Sequence, residues 1–395
     1  MHVKLKGHDL YKYTPSPGSI DEQEQLDNEN NPRSLQAGFI HPKPKKDGIG
    51  IENFLKGKVI LITGSTGFLA KVLVEKILRS MPDVSKIYLM IRGKDMEDAR
   101  QRLRKEIVDI ELFKCVKQKH GKHYEAFMCS KLVPVVGDVG LPTLGIQEDL
   151  AVEIAKDVQI IVNIAGDATF DQRYDVALQV NAMGPCNLLN FASKCKNIEL
   201  FVHTSTNSVK RYSREGRFME EKECFSPRDS MGRQVCVLSE TAVLENEMSM
   251  RSKTSVPIVI VRPSGILSTY KEPFPGWIEG IKMADPIIIY YGKGKLTGFP
   301  LNPNNSIDFI PADIVVNTML GITAKHVSMA KKAETSFYHL CSSSSNPIVF
   351  EDLFYLIYQQ FKSHPFFDSN GRPIRISEMI FFNSLQHFSN HLDVM

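Results

Sequence analysis

Hydrophobic and polar positions divide the chain into an unpatterned start and a regularly patterned body. Residues 1–47 are polar, rich in proline and charge, and without sustained periodicity; HPKPKKDG (41–48) reads as a solvated linker. Little fixed structure is expected before Gly48. Short apolar, β-branched runs then recur: KVILIT (58–63), KIYLMIR (86–92), LVPVVGDV (132–139), QIIVNIA (159–165), ELFVHTS (199–205) and PIVIVRPS (257–264). Runs of this length and composition are what strands buried on both faces require. Helical spacing lies between most of them, as in FLAKVLVEKILRSM, with apolar residues at 68, 69, 72, 73, 74, 77 and 78, while DARQRLRKEIVDIELF reads as one further helix.

Strands alternating with helices imply βαβ units with right-handed crossovers. The expected fold class is therefore α/β: a doubly wound, Rossmann-type parallel sheet, with a smaller substrate-side region built from 270–310 and the C-terminal segment. The expected domain plan is a polar, disordered segment over 1–47, a nucleotide-binding domain over 48–345, and the start of a helical C-terminal region over 346–395.

Composition narrows the class. The 395 residues are 43% apolar and 24% charged, which excludes fibrous, wholly disordered and polytopic membrane chains. A net charge of +3, from 48 basic and 45 acidic residues, leaves no electrostatic footprint for nucleic acid. No apolar stretch approaches the ~20 residues needed to cross a bilayer, so membrane contact is expected to be peripheral. The seven cysteines, Cys115, Cys129, Cys186, Cys195, Cys224, Cys236 and Cys341, include no Cys-x-x-Cys pair; they form neither a disulfide framework nor a metal site, and a reducing compartment fits them best.

The sharpest chemical signal follows the first strand. Thr63-Gly-Ser-Thr-Gly-Phe-Leu-Ala70 places Gly64, Gly67 and the small Ala70 between a buried strand and an amphipathic helix. Gly64 allows a sharp turn, Gly67 lets backbone approach a pyrophosphate, and Ala70 allows close helix–strand packing, with the helix N-terminus favouring the phosphate charge. An ordinary tight turn is the plainer alternative. The second strand ends in Arg92-Gly-Lys94 rather than in an acidic residue, and a guanidinium matches a 2′-phosphate, so NADP is preferred over NAD. A solvated basic turn would look the same. Asp138 is placed to hydrogen-bond an adenine amine, and Ala165 and Gly166 are small enough to border the cofactor.

TGSTGFLAKVLVEKIL, KIYLMIRGK, VPVVGDV, RYDVALQVNAMGPCNLL, VPIVIVRPSGILSTYKEPFPGW and IDFIPADIVVN together resemble the plant alcohol-forming fatty acyl-CoA reductases of the male-sterility type, which are extended short-chain dehydrogenase/reductases. The likeness covers roughly residues 48–390. It implies reduction of a long-chain acyl thioester, carried by CoA or acyl carrier protein, to a fatty alcohol by two NADPH-derived hydrides through a bound aldehyde, in wax, suberin or pollen-wall synthesis. It implies that Thr63, Gly64, Ser65, Thr66, Gly67, Phe68 and Leu69 form the pyrophosphate turn, that Arg92 takes the 2′-phosphate, and that Asp138 and Val139 face the adenine. It implies further that Ala165 lines the cofactor and that Pro263 and Ser264 border the nicotinamide. A plastid or the endoplasmic-reticulum surface is the implied location, and homo- or hetero-oligomers are consistent with it.

Catalysis in this family needs a Ser/Thr hydroxyl, a tyrosine acid and a lysine. His203-Thr-Ser-Thr206 ends the fifth run, making Thr206 the candidate hydroxyl with Ser205 beside it; a merely polar strand end is the alternative. The segment before the sixth run, GRQVCVLSETAVLENEMSMRSKTS, contains no tyrosine. Its best register puts Cys236 and Glu240 at the Tyr-x-x-x-Lys positions, one helical turn apart on one face. A carboxylate there raises rather than lowers a neighbouring acid's pKa. Tyr291–Lys295 and Tyr358–Lys362 have the same spacing but sit in a glycine-rich loop and on an amphipathic stripe. Two readings follow: an NADPH-dependent acyl-thioester reductase, or a catalytically impaired NADP-binding relative with an interaction or regulatory role. Asp308 and Asp313, in the segment expected to close over substrate, are read equally well as loop and helix-cap residues.

Overall fold

Each of the six apolar runs forms a strand of one sheet. In the computed structural model, which describes residues 50, 51, 53–167, 172–206, 256–329, 335–343 and 345–394, these are β1 (Val59–Thr63), β2 (Lys86–Ile91), β3 (Leu132–Val136), β4 (Ile160–Asn163), β5 (Leu200–Thr204) and β6 (Ile258–Pro263). Short strands follow, β7 (Gly265–Leu267), β8 (Gly298–Phe299), β9 (Ser306–Ile307) and β10 (Phe309–Pro311), and then β11 (Thr335–Leu340), β12 (Ile348–Val349) and β13 (Ile380–Phe381). The helices are α1 (Phe68–Ser80), α2 (Met96–Leu103), α3 (Lys114–His120), α4 (Tyr124–Lys131), α5 (Glu148–Asp157), α6 (Tyr174–Leu178), α7 (Gly184–Ala192), α8 (Asp285–Gly292), α9 (Ala312–Met329), α10 (Phe350–Ser363) and α11 (Leu385–Val394).

The main sheet runs β11-β6-β5-β4-β1-β2-β3, with every pairing parallel. This is the doubly wound order expected, extended by one strand. The order reverses between β1 and β4, and ligands of such sheets bind at the carboxyl ends of the strands there. β11 was not legible beforehand because TSFYHL is a half-exposed edge strand with mixed polar composition. The single helix expected over 98–113 is instead α2, a wide turn at Arg104–Val108 and a tight turn at Glu111–Phe113. Ile107, Leu112 and Phe113 are all buried, but their spacing is off an α-helical stripe, so burying all three breaks the helix.

Alternation along the strands feeds two cores. Ile60 and Ile62 of β1 pack with Val72, Leu73 and Ile77 of α1 and with Val316 and Met319 of α9. Leu61, from the same strand, packs on the other face with Tyr88, Ile161, Phe201 and Leu188. Each such side chain contributes about 1.5–3 kcal/mol on burial. A third, smaller core joins Tyr291 of α8, Phe354 of α10 and Met379, with Phe299, Phe361 and Phe381 around them. It holds together the smaller region beyond β6, which belongs to the same compact unit, residues 47–395, as the sheet.

Candidate active site

The β1–α1 turn has the geometry that phosphate binding demands. Gly64 has φ +65°, and a Cβ there would lie 2.7 Å from the backbone nitrogen of Ala165. This position is closed to any side chain, and it pins the turn against the end of β4. Gly67 is different: its φ is −83°, accessible to every residue, and a Cβ would meet only the Gly64 carbonyl oxygen at 3.0 Å. No side chain caps α1 at Gly67, so its first-turn amides remain for a ligand. The cradle is thus backbone, open where a Cβ would fill it, and it fits a dinucleotide pyrophosphate.

Two residues of the turn face inward. The Thr63 hydroxyl, fully buried, donates to Asn163 Oδ1 (2.6 Å) and accepts from the Ala165 N–H (3.3 Å). Ser65 Oγ donates to the Ile62 carbonyl (2.8 Å). Their side chains are therefore committed to the turn itself, and the half-buried Thr66 is the one hydroxyl of the turn not so engaged. Phe68 stacks on Trp277, with ring centroids 5.4 Å apart.

At the end of β2, Arg92 is exposed and its guanidinium makes no ion pair among the described residues. Arg102, the neighbouring cation, is tied to Glu106 and donates to the Arg92 carbonyl. Asp138 Oδ1 accepts the Gly140 N–H (2.8 Å), closing a turn of its own. The Val139 side chain is buried in the second core, where a Cβ on Gly184 would touch it at 2.9 Å, and the Val139 carbonyl accepts from Asn187. The Val139 side chain is thus committed to the core and only its backbone remains for a ligand.

Three hydroxyl-bearing residues lie at the carboxyl ends of β5 and β6. Thr204 pairs in register with Val261, the Ser205 N–H donates to the Val261 carbonyl (2.8 Å), and the Ser264 N–H donates to the Leu340 carbonyl (2.9 Å). Among the described residues, the hydroxyl oxygens of Thr204, Ser205 and Ser264 are buried without a hydrogen-bond partner. Such groups cost free energy unless something fills them, so they mark a site for a polar ligand. Thr206 is exposed. Pro263 completes β6 beside Leu340. Cys236 and Glu240 lie outside the described residues.

Sequence reading missed the polar chain beneath this edge. Asn163, fully buried, donates through Nδ2 to His203 Nδ1 (3.0 Å). Since the Thr63 hydroxyl occupies the amide oxygen, the His203 ring is neutral, with its proton on Nε2. Burial, reinforced by the Arg262 charge, lowers the His203 pKa to about 4. Arg262 is itself 1% exposed and lies over the Phe337 ring. The available signal was a polar residue near the carboxyl end of each apolar run, in VNIA, VHTS and IVRP.

Asp308 and Asp313 are both structural anchors. Asp308 accepts from the N–H and hydroxyl groups of Ser342 and Ser343. Burial alone would raise its pKa, but these hydrogen bonds outweigh burial and lower it. Asp313 accepts three consecutive N–H groups, of Tyr270, Lys271 and Glu272. Tyr291 donates its hydroxyl to the Ser377 carbonyl and is pushed up to about 12 by burial, while Lys362 lies over the Tyr358 ring; neither Tyr-x-x-x-Lys string is a displaced acid–lysine pair.

Fold and cradle together are those of a dinucleotide-binding, Rossmann-type domain. Residues 62–319 match the NAD-binding family described as male sterility protein. The chain is 43% identical to fatty acyl-CoA reductase 2, chloroplastic, of Arabidopsis thaliana, covering 99% of this chain and 73% of that protein. It is 34% identical to the alcohol-forming fatty acyl-CoA reductase of Simmondsia chinensis, over 87% and 78% respectively. The chain therefore belongs to the plant fatty acyl-CoA reductase family. The Arabidopsis alignment spans 450 positions, more than this chain's 395 residues, so that relative carries residues within the span that this chain lacks. Among solved structures, the reductase domain of a nonribosomal peptide synthetase from Mycobacterium tuberculosis superposes with a TM-score of 0.60 at 19% identity, covering 89% of this chain and 80% of that one; the likeness is one of fold. No helix among the described residues is long and apolar enough to cross a membrane.

Proposed function

We propose that the protein reduces a long-chain fatty acyl thioester, carried by CoA or acyl carrier protein, to the fatty alcohol. The observation that supports this reading is that the open backbone cradle at Gly64 and Gly67 and the buried Ser205 and Ser264 hydroxyls, unpartnered among the described residues, all lie at the carboxyl ends of the parallel strands. The relatives' names supply the substrate class. NADPH, when bound, supplies hydride. The first-turn amides of α1 and the Thr66 hydroxyl hold the pyrophosphate, Arg92 takes the 2′-phosphate, Asp138 and the Val139 backbone meet the adenine, and Ala165, Pro263 and Ser264 border the nicotinamide. Ser205, with Thr206 beside it, donates toward the carbonyl oxygen and stabilises the charge that develops there. Two hydrides and two protons convert the thioester to alcohol and free thiol, the thiolate leaving after the first addition. The chloroplastic relative supports a plastid location.

A second reading, an NADP-binding relative with little turnover, is supported by the absence of any tyrosine in residues 232–255, where the best register would put Cys236 and Glu240 at the acid–lysine positions. General-acid help is typically worth ~10²–10⁴-fold, and Glu240 cannot replace a lysine. Purified protein given NADPH and a long-chain acyl-CoA decides between them. Alcohol formed at rates typical of such enzymes, and unchanged by Cys236→Ala, removes the second reading and the placement of the acid on this segment. Tight NADPH binding with turnover lower by at least about a hundredfold supports the second. In either case NADPH should bind more tightly than NADH, and Arg92→Ala should narrow the difference about tenfold, as loss of a charge-assisted contact does. Equal binding of the two nucleotides by the unmodified protein refutes the 2′-phosphate assignment.

A further inference from the structure

The segment 269–279, which contains KEPFPGW, is a strap laid along α1. Thr269 closes it on itself: its hydroxyl accepts from the Trp277 N–H (2.9 Å) and donates to the Phe274 carbonyl (2.7 Å), and its N–H donates to the Trp277 carbonyl (3.0 Å). The Asp313 carboxylate holds the N–H groups at 270–272. Two acids of the strap meet three cations of α1. Glu279 pairs with Lys71 at 2.6 Å, and Glu272 pairs with Arg79 at 2.8 Å and with Lys76.

Only part of this contact is needed to hold the strap down. Glu272, Lys76 and Arg79 lie toward the far end of α1 and are half-exposed, as an ordinary anchoring pair would be. Lys71 is 2% exposed and lies one turn from the helix N-terminus. A buried lysine needs a counter-charge, and Glu279 supplies it from the strap. Beside this pair, Trp277 stacks at 22° on Phe68, the first helical residue after Gly67. The strap thus touches the nucleotide turn at two adjacent points, one ionic and one aromatic.

We propose that Trp277 and Glu279 are positioning residues for the nucleotide: acting through Phe68 and Lys71, they fix the first turn of α1 in the orientation that presents its amides to the pyrophosphate. Neither residue touches the reacting atoms. This rests on the nucleotide reading of the β1–α1 turn, and it adds that nucleotide affinity is set partly by a segment more than 200 residues away in the chain. The far pairs, made by Glu272, anchor the strap without orienting the turn.

The test uses the full chain and the quenching of Trp277, the sole tryptophan, by bound NADPH. Unmodified protein should show saturable quenching. Glu279→Gln and Trp277→Ala should each raise the NADPH dissociation constant about five- to tenfold, the size expected when a binding group is held less well. Binding to variants lacking the tryptophan is read from nucleotide fluorescence. Trp277→Phe, which keeps a stacked ring, should restore most of the affinity. Glu272→Gln should lower the unfolding midpoint with little change in affinity. If Glu279→Gln and Trp277→Ala lower the unfolding midpoint but leave the NADPH constant within twofold, the strap is structural only and the proposal is wrong. If the unmodified protein binds no NADPH, the nucleotide reading itself falls and takes this one with it.

Discussion

The β1–β4 half of the sheet and the region beyond β6 are held together by different physics. Around β1, stability comes from apolar runs buried on both faces: Leu61 and Ile62 are fully buried, and their neighbours on α1, α9 and α7 are as well. Beyond β6, every strand except the sheet's edge strand β11 is two or three residues long, and the chain is fixed by single carboxylates that collect several N–H groups each. Asp313 takes three and Asp308 takes two, together with two hydroxyls. The first kind of structure is distributed and tolerates local change. The second is concentrated, so one substitution can release a whole loop. The nucleotide turn belongs to the first region and the strap to the second, and the site lies where they meet.

The largest expected effect tests the first region at its tightest point. Gly64→Ala places a Cβ 2.7 Å from the Ala165 nitrogen at a left-handed φ of +65°. Strain of about 1–2 kcal/mol from the backbone and about 1–3 from overpacking should add, costing roughly 3 kcal/mol by denaturant titration. Gly67→Val, three residues on, should cost under about 1 kcal/mol, because its φ suits any residue, yet abolish NADPH binding by filling the cradle. If Gly67→Val unfolds the protein as badly as Gly64→Ala, or still binds nucleotide, the division of labour between the two glycines is mistaken.

A smaller loss tests the second region. Asp313→Asn keeps shape but removes the charge that three N–H groups share, and hydrogen bonds to a charged group are worth about 1.5–3 kcal/mol. A net loss near 2 kcal/mol is expected, with hydrogen exchange at 270–272 accelerated and β1–β4 amides left protected. Uniform acceleration across the sheet would show that the two regions do not differ as described.

The same contrast explains what the sequence alone made legible. The five interior strands and α1 were found because burial on both faces writes itself as consecutive apolar residues, and the edge strand β3 because LVPVV is apolar throughout. Gly64, Gly67 and Arg92 stood out because the pattern that proposes their roles is written in neighbouring residues. Asp308 and Asp313 could not be assigned: their partners lie more than 30 residues away, and nothing local distinguishes an acceptor of loop amides from a helix cap. The Lys71–Glu279 pair was hidden for the same reason, since periodicity places Lys71 on a helix but not beneath a strap. The buried chain from Thr63 through Asn163 to His203 was missed because each member reads as an ordinary strand end.

That chain gives the last and smallest test, because it crosses from β1 to β5 and joins the nucleotide turn to the hydroxyl-bearing edge. His203 is neutral in the fold, with its pKa lowered to about 4 by burial and by Arg262, against an ordinary value of 6.5. The unfolded chain therefore takes up a proton as pH falls through 6.5 while the folded one does not until about 4. Stability must fall across that window, by about 1.4 kcal/mol per pH unit for one proton. The carboxylates respond lower down. Glu272 is raised by burial but lowered on balance by Lys76 and Arg79, so its contribution is present above 4.5 and is lost only as pH drops through its folded pKa. His203→Asn, which cannot titrate, should flatten the unfolding free energy between pH 6.5 and 5 and leave the steeper acid loss in place. An unchanged slope in the variant would mean that His203 takes up its proton at the same pH folded and unfolded, so that burial and Arg262 do not hold it neutral.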